Sequence, residues 1–157
     1  MPKQHENAGF ELLQGASKFS GEILGGCLDT LFDIFDPTRF ADIPVLCKKY
    51  ELFPKKEEWS GKILLLETSE EKMSVEKYEK ALGFLKNWGV FDEVSGVIVG
   101  KPYNEYLFAE YKLLLKKIVP SSVPVVANIS VGHAFPHCII PLGVRASVDA
   151  DAQKIVF

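Results

Sequence analysis

Cysteine, methionine and histidine are scarce in this 157-residue chain, which carries three, two and three of them. The cysteines, Cys27, Cys47 and Cys138, show no C-x-x-C spacing. An odd, scattered set argues against a disulfide framework and fits reduced thiols in a cytoplasmic protein. No hydrophobic run approaches the roughly 20 residues that a membrane-spanning helix needs. The opening stretch, "MPKQHENAGFELLQG", lacks the apolar core of a secretory signal. Neither sign of charge dominates: 18 basic residues face 21 acidic ones, a net charge of −3. That balance supplies no electrostatic footprint for nucleic acid or an anionic membrane. The stretches "CKKYELFPKKEEW" and "KLLLKK" read as solvated faces. Phosphate-binding motifs are missing too. "GEILGG" has neither the G-x-x-x-x-G-K-[ST] nor the G-x-G-x-x-G spacing, and reads as a tight turn where backbones approach closely. A G-x-S-x-G nucleophile elbow is also lacking.

What is present is enough apolar residue, 47 % of the chain, to build one well-filled domain. "GKILLLE", "VSGVIVG" and "VPVVANI" are short apolar runs that read as buried strands. Between them lie two amphipathic helices. In "SVEKYEKALGFLKNWG", Val75, Tyr78, Leu82, Leu85 and Trp88 share one face, with Ser74 placed to cap the start and Gly89 to end the helix. In "NEYLFAEYKLLLKKIVP", Leu107, Tyr111, Leu114 and Ile118 form the stripe, with Asn104 as the expected cap and Pro120 as the stop. The tail, "RASVDADAQKIVF", reads as a β-hairpin, and residues 36–60 as a long connection holding at most one short element. Alternation of strand and helix requires right-handed crossovers and parallel pairing. The expected fold class is therefore α/β: a mixed sheet with parallel core strands, two flanking helices and a C-terminal hairpin.

In such sheets ligands bind beyond the carboxyl ends of the parallel strands. Glu67 ends "KILLLE", and Gly132 and His133 follow the third strand. A carboxylate and an imidazole at neighbouring strand ends can meet, the first orienting the second as a general base. Two structural readings stand beside this one: Glu67 as a loop or helix-capping residue, and His133 as a hydrogen-bonded loop residue. A metal site built from His133, His137 and Cys138 is disfavoured, because Pro136 argues against a helix that would align the histidines and no second cluster supplies the remaining ligands. The missing part is a nucleophile. Ser130 lies too near His133 along the chain to face its ring, and "GASKF" lacks the second glycine of an elbow.

The blocks "GEILGGCLDTL", "GKILLLETSEE", "ALGFLKNWGVFDEVSGVIVGKP" and "VGHAFPHCIIPLGVRASVDAD" resemble, in this order, the C-terminal domain of the LD-carboxypeptidase family, which includes the microcin C self-immunity peptidases. The resemblance runs from about Gly15 to the end. It implies a serine hydrolase with a Ser-Glu-His triad, in which Glu67 matches the triad Glu and His133 the triad His. The Ser belongs to an N-terminal domain outside these residues, so that domain is the expected partner. Residues 1–20 are then expected to be a linker remnant and 21–157 the C-terminal domain. The implied substrate is a small peptide or a peptidyl-nucleotide; no cofactor and no metal is expected, and self-association as a homodimer is. Two positions depart from the family pattern: Cys27, where many relatives have Asn, and Thr68, where many have an acidic residue. The alternative is a non-catalytic binding or dimerisation module of the same fold.

Overall fold

A computed structural model describes residues 8–157. Among these residues seven strands form one mixed sheet: β1 (Glu11–Gln14), β2 (Lys18–Cys27), β3 (Ile63–Glu67), β4 (Gly96–Gly100), β5 (Val125–Ile129), β6 (Arg145–Asp149) and β7 (Lys154–Val156). Their order is β1-β5-β4-β3-β2-β6-β7. The central strands β2, β3, β4 and β5 are parallel, and β1, β6 and β7 join antiparallel. The helices are α1 (Leu28–Asp33), α2 (Ile43–Tyr50), α3 (Val75–Trp88), α4 (Val90–Glu93) and α5 (Phe108–Ile118). The mixed α/β class with its terminal hairpin is as the sequence indicates.

The apolar runs are continuous because both faces of the sheet are covered. Leu64, Leu66, Val97, Val99, Val125 and Ala127 point into one core, built with α1, α3, α4 and α5. Ile63, Leu65, Ile98 and Val126 alternate with them and point into a second core, closed by Ala146, Val148 and Val131. Each large side chain removed from water in these layers contributes roughly 1.5–3 kcal/mol. In the first core the Tyr78 and Tyr111 rings stack at 4.0 Å, joining α3 to α5.

Helix α3 begins and ends as its sequence indicates. The Ser74 hydroxyl accepts from the Lys77 amide at 3.2 Å, and Gly89 adopts a φ of +86°. Helix α5 does not. Asn104 is not its cap: it sits at φ +53° in a one-turn 3-10 helix, Tyr103–Glu105, and α5 starts only after Leu107 at φ +52°. Pro102 is extended, and the left-handed residues after it turn the chain before the helix can start. The described part of the segment expected as a linker remnant is regular structure. Glu11–Gln14 is an edge strand on β5, and Lys18–Ser20 already pairs with β6. Backbone pairing, which polar side chains do not prevent, recruits this stretch into the sheet. Residues 1–7 lie outside the described residues. The connection 36–60 carries α2 and a 3-10 turn at Lys56–Trp59, more structure than its weak periodicity indicates. Trp59 is fully buried, and Phe53 packs edge-on to Phe35 and Trp88. These aromatic contacts hold the segment where helical patterning is weak.

Candidate active site

Glu67 is the last residue of β3, in register with Cys27 at the end of β2. By strand alternation it falls on the face of Ile63 and Leu65, away from the helices. It is 8 % exposed, the only carboxylate among the residues of that strand. Its neighbours have to be glycines. A Cβ on Gly100 would stand 2.9 Å from the Glu67 Cβ and 3.0 Å from the Val131 carbonyl oxygen. A Cβ on Gly132 would stand 2.6 Å from the Glu67 carboxyl carbon, and Gly132 has a φ of +77° besides.

His133 follows Gly132 in the loop after β5. The loop is tied to the strand end: the Val131 amide donates to the Ile129 carbonyl at 2.9 Å and the Cys138 amide to the Ser130 carbonyl at 2.6 Å. The left-handed turn at Gly132 brings the ring over β3, and His133 Nδ1 lies 2.8 Å from Glu67 Oε2. Its other nitrogen, Nε2, lies 3.2 Å from Glu70 Oε2. The ring is 40 % exposed while Glu67 is nearly buried, so the imidazole reaches toward solvent from a fixed carboxylate. The hydrogen bond with Glu67 holds the His133 pKa above the usual histidine range. Partial burial opposes this, and the negative charges of Glu67, Glu70 and Asp29 add to it.

A third group supports the pair and is not evident from the sequence. Asp29, at the start of α1, is 2 % exposed, and its Oδ2 accepts from the Ser69 amide at 2.9 Å. That bond fixes the loop after Glu67. Arg39 fastens the same loop from outside, donating to Glu71 at 2.8 Å and to the buried Asp33 at 3.3 Å. The parallel register of Cys27 with Glu67 places the start of α1, and with it Asp29, beside the loop after β3; residue order alone carries no signal of this.

The other chemically interesting side chains stand apart. His137 faces its own loop, with Nδ1 3.1 Å from the Ala134 carbonyl oxygen. Among the described residues no group of three His, Cys, Asp or Glu side chains is arranged to hold a metal. Burial raises the Cys27 thiol above its usual pKa, which keeps it in the weakly nucleophilic protonated form. Among the described residues, the ring of His133 is hydrogen-bonded to no serine, threonine or cysteine. No helix among these residues is long and apolar enough to cross a membrane. The loop past His133 exposes apolar side chains: Ile139 is 91 % exposed, Phe135 62 % and Leu142 53 %. Gly143 and Val144 bond this loop to Ile23 of β2, so the exposed patch runs beside the "GEILGG" segment.

An imidazole backed by a carboxylate at the carboxyl edge of a parallel sheet has the geometry of the acid–base pair of nucleophilic hydrolases. The chain belongs to the LD-carboxypeptidase C-terminal domain family, whose model matches residues 20–148. It is 28 % identical over 148 residues, 90 % of its length, to the microcin C7 self-immunity protein MccF of Escherichia coli. Among solved structures it is similar to an MccF-like protein from Streptococcus pneumoniae in complex with AMP, with 53 % identity over 98 % of this chain and a TM-score of 0.95. It is also similar to MccF in complex with glutamyl sulfamoyl guanosine, with 26 % identity over 99 % of this chain and a TM-score of 0.70. The chain spans 37 % of the length of the E. coli protein and 45 % and 42 % of the two crystallised chains.

Proposed function

We propose that these residues form the Glu/His half of a serine hydrolase of the LD-carboxypeptidase type, with the nucleophilic Ser supplied by an N-terminal domain of a longer protein. The observation that carries this reading is the 2.8 Å contact between Glu67 and His133, with Nε2 directed away from Glu67 on a ring that is 40 % exposed. In the proposed reaction the Ser hydroxyl attacks the substrate's acyl carbon and His133 Nε2 takes its proton. The acyl bond to the leaving group breaks as His133 returns that proton to it. Water then repeats the cycle on the acyl-enzyme, with His133 again base and then acid. Glu67 holds Nδ1–H and stabilises the imidazolium that forms.

Two further observations support the division of labour. The relatives are more than twice as long as this chain. The apolar surface of Phe135, Ile139 and Leu142 lies on the loop that carries His133, as a surface for a second domain would. The proposed substrates are a peptidyl-nucleotide or a muropeptide with an L,D bond. The AMP complex of the 53 % identical relative favours the nucleotide conjugate as the first to assay.

The test is turnover of an aminoacyl sulfamoyl adenosine and an L,D-tetrapeptide by two proteins: the 157-residue chain and the longer protein that includes the N-terminal domain. The expected result is hydrolysis of at least one substrate by the longer protein and none by the chain alone. Robust turnover by the chain alone would overturn the proposal. A longer protein with the Ser in place but no activity on either class would favour a binding module of the same fold.

A further inference from the structure

The contact on the far side of His133 has no part in the reaction proposed above. Nε2 is the nitrogen that has to meet the nucleophile, yet it faces Glu70 Oε2 at 3.2 Å. With a carboxylate at each nitrogen, both ring positions are donors, and the arrangement suits the imidazolium. An imidazolium cannot take a proton. We propose that Glu70 is a positioning residue that occupies the nucleophile's place on His133, holding the ring charged and aligned until Glu70 is displaced.

Three observations carry this beyond a chance surface contact. The loop bearing Glu70 is held by the buried Asp29, which accepts from the Ser69 amide at 2.9 Å, and Arg39 reaches Glu71 at 2.8 Å on the surface beside it, so the backbone aims Glu70 at the ring. Within the loop the Glu71 amide donates to the Ser69 hydroxyl at 3.3 Å. The Glu70 side chain is 62 % exposed, whereas Glu67 is nearly buried. Glu67 is therefore a permanent partner, and Glu70 is free to swing into water at little cost. An exposed ion pair of this kind is weak and screened by salt, as a displaceable partner has to be. The charged or titratable groups facing His133 are Glu67 from β3, Glu70 from the loop after it and Asp29 from α1; all three are acidic, and all favour the protonated ring. On release of Glu70 the Nε2 proton passes to water, and the neutral ring can accept a proton from an incoming hydroxyl. This inference rests on the assignment of His133 as the base, but its geometric part does not depend on any activity.

The experiment is a histidine-ring NMR titration of the 157-residue chain, with Glu70→Gln, Glu67→Gln and His133→Ala, the last assigning the resonance. Glu70→Gln should lower the His133 pKa by about half to one unit at low salt. The effect should shrink at molar salt, while Glu67→Gln lowers the pKa further. In the longer protein Glu70→Gln should move the acid limb of kcat/KM down in pH by a similar amount. An unchanged His133 titration in Glu70→Gln, with the fold intact by circular dichroism, would overturn the proposal. A shifted titration in a protein that hydrolyses neither substrate class would leave the Glu70 contact established and reject the hydrolase assignment instead.

Discussion

Gly132 is pressed against the Glu67 carboxyl group at a backbone φ of +77°, so close that no side chain fits between the strand end and the loop that carries His133. The glycine does two things at once. It makes the left-handed turn that points the imidazole back over β3, and it leaves room for the carboxylate to reach the ring. Substituting it should therefore damage both backbone and site. Gly132→Ala is expected to destabilise the chain by about 1–3 kcal/mol in denaturant unfolding, through strain at positive φ and the clash with Glu67. The His133 ring resonance should move toward that of a free histidine. A variant with full stability and an unchanged ring environment would contradict this.

The pH dependence follows from the direction of the His133 shift. Its pKa is raised by the hydrogen bond with Glu67 and by the surrounding acidic groups. A raised folded-state pKa stabilises the fold below the unfolded-state value of about 6.5, and that contribution is lost as pH rises through the folded value. Catalysis by the proposed mechanism runs the other way, because the base has to be neutral. The acid limb of kcat/KM in the longer protein should have its midpoint above the usual histidine value, and Glu67→Gln should lower it. A midpoint at or below that value in the unaltered protein would count against His133 as the base.

The loop after His133 makes a surface prediction. Ile139, Phe135 and Leu142 expose apolar side chains on a loop bonded to Ile23 of β2. A patch of this kind, uncovered, drives association. The 157-residue chain should show a mass that increases with concentration in light scattering, and Ile139→Glu should reduce the increase while leaving thermal unfolding unchanged. A strictly monomeric chain at every concentration would show that the patch is not adhesive.

Much of this was legible from residue order. The runs "ILLLE", "GVIVG" and "VVANI" announce strands covered on both faces, and Ser74 and Gly89 mark the ends of α3 in the chain itself. The meeting of Glu67 and His133 could be argued from strand ends, because parallel strands bring their carboxyl termini to one edge. What was not legible depends on tertiary contact. Asn104 resembles a cap, but left-handed residues after Pro102 delay α5 by a few residues. Glu11–Gln14 has no strong strand pattern and becomes one by pairing with β5. Residues 43–50 form α2, a helix in which only Cys47 is buried and which therefore leaves no apolar stripe in the sequence. Asp29 and Glu70 enter the site only because Cys27 and Glu67 share a register, which sets α1 beside the loop after β3.

The central claim is that Glu67 and His133 act as one unit on a nucleophile outside these residues. A double-mutant cycle on kcat in the longer protein tests it most directly. The measurements are His133→Ala, Glu67→Ala and the double variant on the better substrate, with unfolding curves to show that each folds. His133→Ala should cost on the order of 10⁴–10⁶ in rate, Glu67→Ala somewhat less, and the double variant no more than His133→Ala alone, since a base and its orienter fail together. Losses that multiply in the double variant, or a His133→Ala protein that keeps its rate, would contradict the account.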